Sequence, residues 1–342
     1  MLACRLPEAE FHNTMRPPME FHLPRPVKAL LLFALGAVAV LYVAGEWVFN
    51  LNSNLVLWTV AESRADLEIK LKSGEWKPLE EVTPAELQGA LVERYSEAGL
   101  RWRRLRVRRQ GGALAGVLQR LFGATVNVIT LSPERFEFST SYLPDFAGTT
   151  ARERLNTQAL QFAITANFRE PSGAPMGWVW HEGRQVNKAF PEWSGVFFVK
   201  EGKPWFGPKS LVDEVPGAMT EGAQVYPSVM KNHTVFDYVF NAPDRYFNGP
   251  RITYRSLAGM RQDGEIVFVL SGDGGVMNVK EVTGIAHKLG VQHATLLDGG
   301  RALQYSVRTE DGPWHFTAFN TRVSFKHDKL DRQLSPVFIA VK

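Results

Sequence analysis

The sequence is nearly devoid of cysteine, with Cys4 alone among 342 residues. One cysteine excludes an intramolecular disulfide and any zinc site built from cysteine ligands. A large excess of charge of one sign is also lacking, because 39 Lys and Arg residues face 35 Asp and Glu residues and leave a formal net charge of +4. So small an excess does not favour nucleic-acid binding, which needs a concentrated basic patch. The hydrophobic share of 45% is ample for a folded core.

Several common nucleotide and hydrolase motifs are absent as well. The chain has no Walker A lysine loop, no GxGxxG motif after a predicted strand and no GxSxG nucleophile elbow. We therefore expect neither a metal nor a cofactor. Solvated or structural roles are expected for five histidines that lack the close pairing of metal ligands: His233, His287, His293, His315 and His327.

One apolar run, near the N-terminus, is long enough to approach the span of a bilayer. Residues 29–45 (ALLLFALGAVAVLYVAG) are uncharged, and about 20 such residues suit a hydrocarbon core. Arg25 and Lys28 precede the run and Glu46 is the first charge after it, which predicts a cytoplasmic N-terminus and an exported body. An uncleaved anchor is favoured over a cleaved signal peptide, for which residues 43–45 offer small side chains, and over a buried core helix.

The sequence divides into four predicted regions. We expect a short cytoplasmic stub at 1–28, a transmembrane signal anchor at 29–49, a membrane-proximal spacer or small subdomain at 50–123 and the main domain at 124–342. The protein is then a single-pass membrane protein whose C-terminal domain faces the periplasm or the extracellular side. Nucleic acid is not an expected partner in that location, and the oligomeric state stays open.

The spacer region contains a predicted strand, a predicted helix and an arginine-rich stretch. Alternation at 67–71 indicates a strand, and Thr83 with Pro84 marks the start of a helix expected to run to Gly99. The stretch 101–109 (RWRRLRVRR) carries six arginines. It is either a strand whose solvent face is arginine or a surface that attracts anionic lipid or an acidic polymer.

Three hairpins are predicted in the main domain. Alternating segments on both sides of Pro133 suggest the first, and two more turn at Glu182-Gly183 and at Glu201-Gly202.

Two Asp-Gly-Gly turns make the C-terminal third the most informative part of the sequence. A predicted strand at 265–270 precedes Asp273-Gly274-Gly275, and a second at 291–297 runs into Asp298-Gly299-Gly300. A helix between them is expected to begin after Asn278.

The predicted strand–helix–strand order forms a βαβ-like unit near the C-terminus. If the two strands of that unit pair in parallel, both turns lie at the carboxyl edge of the sheet. Open α/β sheets bind their ligands at that edge.

Each turn offers a carboxylate beside glycine amides that can approach an anion closely. This combination suits cleavage of a sugar–phosphate bond, since the amides hold the phosphate while the carboxylate acts on the sugar side or as a general acid. Asp-Gly is also a common turn dipeptide. A purely structural role is favoured for Asp273, and a functional one for Asp298.

Five segments of the main domain occur in an order that is itself informative: 163–186 (AITANFREPSGAPMGWVWHEGRQV), 194–206 (SGVFFVKEGKPWF), 224–228 (QVYPS), 255–264 (RSLAGMRQDG) and 289–300 (LGVQHATLLDGG). In this order they resemble the motifs of the phosphodiester glycosidase family. The resemblance covers roughly two thirds of the chain. It implies an α+β fold, a mixed-sheet globular domain with the βαβ-like unit near the C-terminus, preceded here by the N-terminal transmembrane helix. It implies hydrolysis of the bond between the anomeric carbon of a sugar and a phosphodiester, in an envelope glycan such as an exopolysaccharide or in a sugar phosphate.

The resemblance also implies a set of site residues. Asp298 would be the catalytic carboxylate with Asp273 as a helper, and Arg255 would bind phosphate through its planar guanidinium. The other expected substrate-binding residues are Gln224, Gly299, Gly300, Arg301 and Asn167.

Two departures from the family pattern keep a second interpretation open. Arg301 and Ala302 stand where the family has a small residue and a serine, and Thr165 stands where an asparagine is expected, with Asn167 two places on. Arg301 could supply a second phosphate contact. Alternatively, the site no longer turns over, and the protein is a degenerate glycan- or sugar-phosphate-binding protein of the cell envelope.

Overall fold

A computed structural model describes residues 24–237, 239, 249–319 and 334–342, apart from the side chains of residues 48 and 49. Most of the expected stub, with Cys4, and one of the five histidines, His327, lie outside the described residues. The chain divides into two compact units, 1–43 and 44–342.

The N-terminal apolar run forms the helix α1 (Arg25–Phe49). Its segment Arg25–Trp47 is long and apolar enough to cross a membrane, and its most apolar stretch is not buried in the protein. The expected candidate transmembrane helix is therefore confirmed, whereas the buried core helix is not observed. A signal sequence near an N-terminus has the same length and composition.

Six further helices are described: α2 (Leu51–Val60), α3 (Pro84–Ala90), α4 (Gly112–Phe122), α5 (Ala151–Thr157), α6 (Leu211–Glu214) and α7 (Val279–Lys288). The strands of the described residues are β1 (Leu67–Lys70), β2 (Trp76–Pro78), β3 (Val92–Glu97), β4 (Leu100–Arg109), β5 (Thr125–Leu131), β6 (Phe138–Tyr142), β7 (Phe162–Thr165), β8 (Val179–His181), β9 (Arg184–Asn187), β10 (Gly195–Lys200), β11 (Lys203–Pro208), β12 (Met219–Val225), β13 (Ser228–Lys231), β14 (Thr234–Val235), β15 (Ser256–Arg261), β16 (Ile266–Ser271), β17 (Val291–Leu296), β18 (Gln304–Thr309), β19 (Gly312–Thr317) and β20 (Val337–Val341).

The described strands form three sheets, and the class is α+β as expected. A ten-stranded sheet has the order β14-β13-β17-β15-β16-β5-β4-β1-β2, with β3 paired to β4. Two five-stranded sheets have the orders β11-β10-β12-β8-β9 and β19-β18-β7-β20-β6.

The βαβ-like unit is present as β16, α7 and β17, but its strands do not pair directly. Strand β15 lies between them and is antiparallel to both, so β16 and β17 run in the same direction two strand positions apart. The expected capping of α7 is confirmed, because the Asn278 side chain accepts a hydrogen bond from the backbone N–H of Glu281 at 2.9 Å. The two Asp-Gly-Gly turns therefore follow strands that end at one edge of the sheet.

The region expected as a spacer contributes strands β1 to β4 to this same large sheet. The helix expected to run to Gly99 is shorter, because α3 ends at Ala90 and residues 92–97 form β3 instead. Its predicted start is correct, with Thr83 capping the helix. Pairing of β3 with β4 outweighs the helical spacing of the apolar residues, since helix propensity is a weak constraint that tertiary contacts override.

Two of the three predicted hairpins form. β8 pairs with β9 around Glu182-Gly183, and β10 pairs with β11 around Glu201-Gly202. The prediction of a hairpin around Pro133 was wrong. Strand β5 pairs with β4 and β16, whereas β6 pairs with β20 in a different sheet. Six of the seven residues of β5 are buried, so this strand needs neighbours on both edges and cover on both faces.

The large sheet separates two main hydrophobic clusters. Adjacent residues of β5 point to opposite faces, with Val128 in the cluster beneath α7 and Ile129 in the cluster that also holds residues of the two smaller sheets. This alternation is the period-two geometry of a strand. The two smaller sheets thus pack on one face of the large sheet, and α7 packs on the other.

A buried ion pair joins the N-terminal strands to α7. Arg109, the last residue of β4, donates to both carboxylate oxygens of Glu281, and both side chains are almost fully buried. Glu281 also accepts the backbone N–H of Asn278 at 2.8 Å and so completes the cap of α7. A single carboxylate thus serves the helix cap and the inter-element pair.

We expect Glu281→Ala to lower the free energy of unfolding by about 3 kcal/mol or more, because it leaves the Arg109 guanidinium buried without its carboxylate. The double variant Arg109→Met with Glu281→Leu is expected to lose less than the single variant, since no charge then stays buried. Chemical denaturation of the full chain in detergent measures both. A single-variant loss below about 1 kcal/mol would contradict the role assigned to the pair.

Candidate functional site

Three chain segments meet at one edge of the large sheet. The first residue of β15, Ser256, pairs with Leu270 of β16, and the next, Leu257, pairs with Leu296 of β17. Arg255 therefore enters the sheet between the ends of the two strands that precede the Asp-Gly-Gly turns. At the usual spacing of neighbouring strands, β16 and β17 lie about 10 Å apart. The topology thus brings Arg255 between the segments that carry Asp273 and Asp298.

Asp298 is a buried carboxyl, with only 6% of the residue exposed. Its backbone is fixed on both sides, since its N–H donates to the Ala166 carbonyl at 3.1 Å and its carbonyl accepts the Ser256 hydroxyl at 2.9 Å. Burial raises the pKa of Asp298 to about 7, although the nearby Arg169 cation and the Gly299 N–H both favour the ionised form. Asp298 therefore changes its charge close to neutral pH.

The loop after β7 carries Asn167, one residue after the backbone partner of Asp298. Asn167 follows Ala166, the backbone partner of Asp298, and is fully buried. Its amide nitrogen donates to the carbonyls of Met176 at 3.0 Å and Gln224 at 2.7 Å. Its Oδ1 has no hydrogen-bond partner among the described residues. A buried acceptor without a donor is costly, and a sugar hydroxyl has the donor that this oxygen needs.

Arg169 belongs to the site although the sequence analysis did not select it. Its positive charge faces Asp298, and its guanidinium donates to the backbone carbonyl of Leu334. The residue lies within the family-like segment 163–186, two places after Asn167. Its position in that segment is the sequence feature that could have identified it. Only the path of the loop shows that its charge acts on Asp298.

The first Asp-Gly-Gly turn differs from the second in burial. Asp273 is exposed and lies near two charges of opposite sign, Arg104 and Glu46. Its neighbour Gly275 packs so tightly on β5 that a Cβ there would stand 1.7 Å from the Thr125 carbonyl oxygen. The glycines of this turn are therefore required for close packing, which agrees with the structural role favoured for Asp273.

The glycine amides of both turns have hydrogen-bond partners within the chain. Gly274 donates to the Ser53 hydroxyl at 2.8 Å and Gly275 to the Gly272 carbonyl at 3.1 Å. In the second turn, Gly300 donates to the Tyr254 carbonyl at 2.8 Å and Gly299 to the Asp298 carboxyl. A phosphate would have to displace these bonds, so side chains are better candidates for holding it.

The Gln224 side chain holds the backbone of the loop that follows β9. Its Oε1 accepts the backbone N–H groups of Trp178 at 3.1 Å and Phe190 at 2.8 Å. Its Nε2 donates to the carbonyls of Phe190 at 2.8 Å and Trp193 at 3.0 Å. A side-chain amide can make about four hydrogen bonds, and all four of Gln224 go to backbone groups. The backbone carbonyl of Gln224 accepts the Asn167 amide.

Arg255 is a half-buried cation whose guanidinium donates to backbone carbonyls. These belong to Arg251 at 2.8 Å and Met277 at 3.4 Å. Burial, with the nearby Arg251 charge, lowers the pKa of Arg255 to about 10, which still leaves it charged at neutral pH. Arg255 therefore places a guanidinium cation at the sheet edge that carries the two turns.

The two departures from the family pattern have different surroundings. Arg301 is exposed on a short 3₁₀ turn, Gly300–Ala302, and its guanidinium lies over the Phe319 ring at 5.2 Å. Thr165 is buried in β7, with its hydroxyl 3.4 Å from the carbonyls of Ala302 and Gln304. The Thr165 hydroxyl thus makes its contacts within the sheet, whereas Asn167 follows Ala166, whose carbonyl accepts the Asp298 N–H.

The structure thus brings Asp298, Asn167 and Arg169 together, with Arg255 on the same sheet edge. In the part of the chain that the structure describes, no group of three or more His, Cys, Asp or Glu residues could hold a metal ion. His293 is buried in β17, and His315 bonds to the Ser306 hydroxyl at 2.8 Å.

Solved structures with a similar fold include the catalytic domain of zebrafish N-acetylglucosamine-1-phosphodiester alpha-N-acetylglucosaminidase, auto-inhibited by its pro-peptide. The match has a TM-score of 0.52 and 13% identity, over 73% of this chain and 81% of that one. A hypothetical protein from Synechocystis matches with a TM-score of 0.50 and 12% identity, over 73% of this chain. The present chain spans 63% of the Synechocystis protein, less than two thirds of its length. At these identities the likeness shows the fold alone.

No curated protein matches the sequence. The family model described as phosphodiester glycosidase matches residues 158–339, which is more than half of the chain and includes Asn167, Arg169, Arg255 and Asp298. The protein belongs to the phosphodiester glycosidase family.

Proposed function

We propose that this protein is a membrane-anchored hydrolase that cleaves a sugar-1-phosphodiester bond in an envelope glycan or sugar phosphate. The observation that carries the proposal is the buried Asp298 carboxyl, whose pKa of about 7 suits proton transfer at neutral pH. Helix α1 would anchor the chain, and the basic residues before it favour an exported catalytic unit. The substrate class comes from family membership and from the zebrafish neighbour, which acts on such a bond according to its name.

The reaction breaks the bond between the anomeric carbon and the phosphate oxygen, which leaves with its electron pair. A water molecule supplies the new oxygen on the anomeric carbon, and its proton passes to the ionised Asp298. Phosphate is a good leaving group and needs little protonation, so one carboxylate acting as base is sufficient. Arg255 and Arg301 would hold the phosphate, while the free Oδ1 of Asn167 would accept a hydroxyl of the sugar.

A second function is supported by a separate observation. The glycine amides of both Asp-Gly-Gly turns are engaged within the chain, and Asp298 is 6% exposed. A catalytically degenerate domain that binds a sugar phosphate through Arg255 and Arg301 without turnover fits these features too. Measured hydrolysis separates the two functions.

We expect Asp298→Asn to lower the rate of sugar release by about 10²-fold or more, because the proton acceptor is lost. The substrate is an N-acetylglucosamine-1-phosphodiester, and the full chain in detergent is assayed for released sugar. Asp213→Asn is the matched control, since Asp213 is exposed and should leave the rate unchanged. A folded wild type that hydrolyses neither this substrate nor a panel of other sugar phosphodiesters would favour the binding function.

We expect kcat to rise with pH across about 7, because the active form of Asp298 is the ionised one. Arg169→Gln should move this rise to higher pH, since removing the nearby positive charge raises the pKa of Asp298 further. A pH profile of both proteins measures the shift. A profile that falls across this range would instead assign Asp298 the role of general acid.

Asp298→Asn should also raise the free energy of unfolding at neutral pH relative to the wild type, although it lowers activity. The folded-state pKa is raised, so the contribution of Asp298 to stability is fully present below its unfolded pKa of about 4 and is lost as pH rises through about 7. Relative to the variant, the wild type should thus lose about 2 to 4 kcal/mol between pH 4 and pH 8. Denaturation at both pH values tests this, and equal differences would contradict a raised pKa.

A further inference from the structure

Helix α4 presents an apolar stripe to the surface. Leu114, Val117 and Leu121 are 53%, 48% and 69% exposed, and their spacing of three and four residues places them on one side of the helix. The buried residue of α4 is Ala115, which packs in the same core cluster as Val60 of α2. The helix is therefore amphipathic with an apolar side left outside, which is a mark of an interaction surface.

A basic groove runs along another side of the same helix. The groove has a volume of about 620 Å³, and its lining includes Gly112, Gly116 and Arg120 of α4. Five cationic residues and no acidic residue line it: Lys70, Arg106, Arg108, Arg109 and Arg120.

Only part of this positive charge is neutralised by the protein. Arg108 pairs with Glu68 at 2.6 Å, and Arg109 with the buried Glu281. The other three cations, Lys70, Arg106 and Arg120, form no ion pair with any residue that the structure describes. The groove thus carries about three positive charges without an ion-pair partner among the described residues, on the helix that also carries the apolar stripe.

The helix α2, which packs on α4, follows the candidate membrane span directly in the chain. Asn50 alone separates α1 from α2. Helix α2 packs closely on the start of α4: a Cβ added at Gly111, the residue before α4, would lie 3.0 Å from the Thr59 carbonyl oxygen. Two tryptophans of this connection, Trp47 and Trp58, are 55% and 71% exposed. Tryptophan favours the membrane–water interface.

We propose that α4 and its basic groove form an interfacial site for an anionic bilayer. The apolar stripe would enter the boundary between headgroups and acyl chains, while Lys70, Arg106 and Arg120 bind lipid phosphates. This inference rests on the membrane anchoring proposed above. It gives a role to part of the arginine-rich stretch 101–109, which hydrolysis leaves unexplained.

The apolar stripe and the basic groove would act together with the anchoring helix α1. A short apolar helix or a few cations bind membranes weakly on their own. A chain held to the bilayer by α1 meets the surface at high effective concentration, so weak contacts are sufficient to dock the catalytic unit. Such docking would fix the orientation of the site toward membrane-proximal substrates.

The test uses the full chain in nanodiscs of neutral phosphatidylcholine or of phosphatidylcholine with phosphatidylglycerol. Amide hydrogen exchange of residues 112–122 is compared between the two. We expect exchange in the anionic discs to be about tenfold slower at low salt, and the difference to vanish at high ionic strength, because salt screens exposed charges.

Surface variants separate the two halves of the proposal. Leu114→Ser with Leu121→Ser, and Arg106→Gln with Arg120→Gln, should each abolish the slowing. Val92→Ser and Arg184→Gln are the matched controls, since both positions are exposed on other strands, and they should retain it. Unchanged exchange of β16 in every variant verifies that the fold is intact.

Three outcomes would overturn the proposal. Equal exchange of residues 112–122 in both lipids removes the role of anionic lipid, and slowing that persists at high salt removes the role of charge. Slowing in detergent that grows with protein concentration assigns the stripe to a second copy of the chain. Failure of the protein to elute with the discs refutes anchoring itself, whereas sugar release in detergent tests the hydrolase function independently.

Discussion

The insertion of β15 between β16 and β17 is the constraint on which the rest of the site depends. Because β15 is antiparallel to both neighbours, it begins where they end. Arg255 and the two Asp-Gly-Gly turns therefore share one edge of the sheet. The Ser256 hydroxyl, at the start of β15, bonds to the Asp298 carbonyl and so ties the central strand to the catalytic candidate.

Burial of Asp298 has opposite effects on stability and on chemistry. A buried carboxylate is costly to ionise, and the structure opposes this cost only in part through Arg169 and the Gly299 amide. The result is a group whose charge changes near neutral pH, as proton transfer requires. Asp273 lies at the same edge and is exposed, but the glycines that follow it are buried and pack tightly against β5.

The N-terminal region is part of this architecture. Strands β1 to β4 extend the large sheet, the Arg109–Glu281 pair joins them to α7, and Ser53 of α2 accepts hydrogen bonds from Gly274 and from the Tyr254 hydroxyl. The segment that follows the candidate membrane span is thus built into the edge that carries the site.

The sequence alone determined the features that depend on local chemistry. The apolar run of α1, the caps at Thr83 and Asn278, the tight turns at Glu182-Gly183 and Glu201-Gly202 and the strand–helix–strand order around α7 all follow from neighbouring residues. The ordered motifs also indicated the family. These properties are readable because a cap, a turn or an amphipathic period needs only a few adjacent positions.

Tertiary structure decided which distant segments meet, and this changed the composition of the site. The spacing at Leu91 and Tyr95 favoured helix, but β4 offered a partner and β3 formed. Gln224 looked like a substrate ligand, yet its amide is saturated by backbone groups, whereas Arg169 joined Asp298 through the path of a loop. Long-range strand pairing and the desolvation of a charge depend on the whole fold, so no local pattern could reveal them.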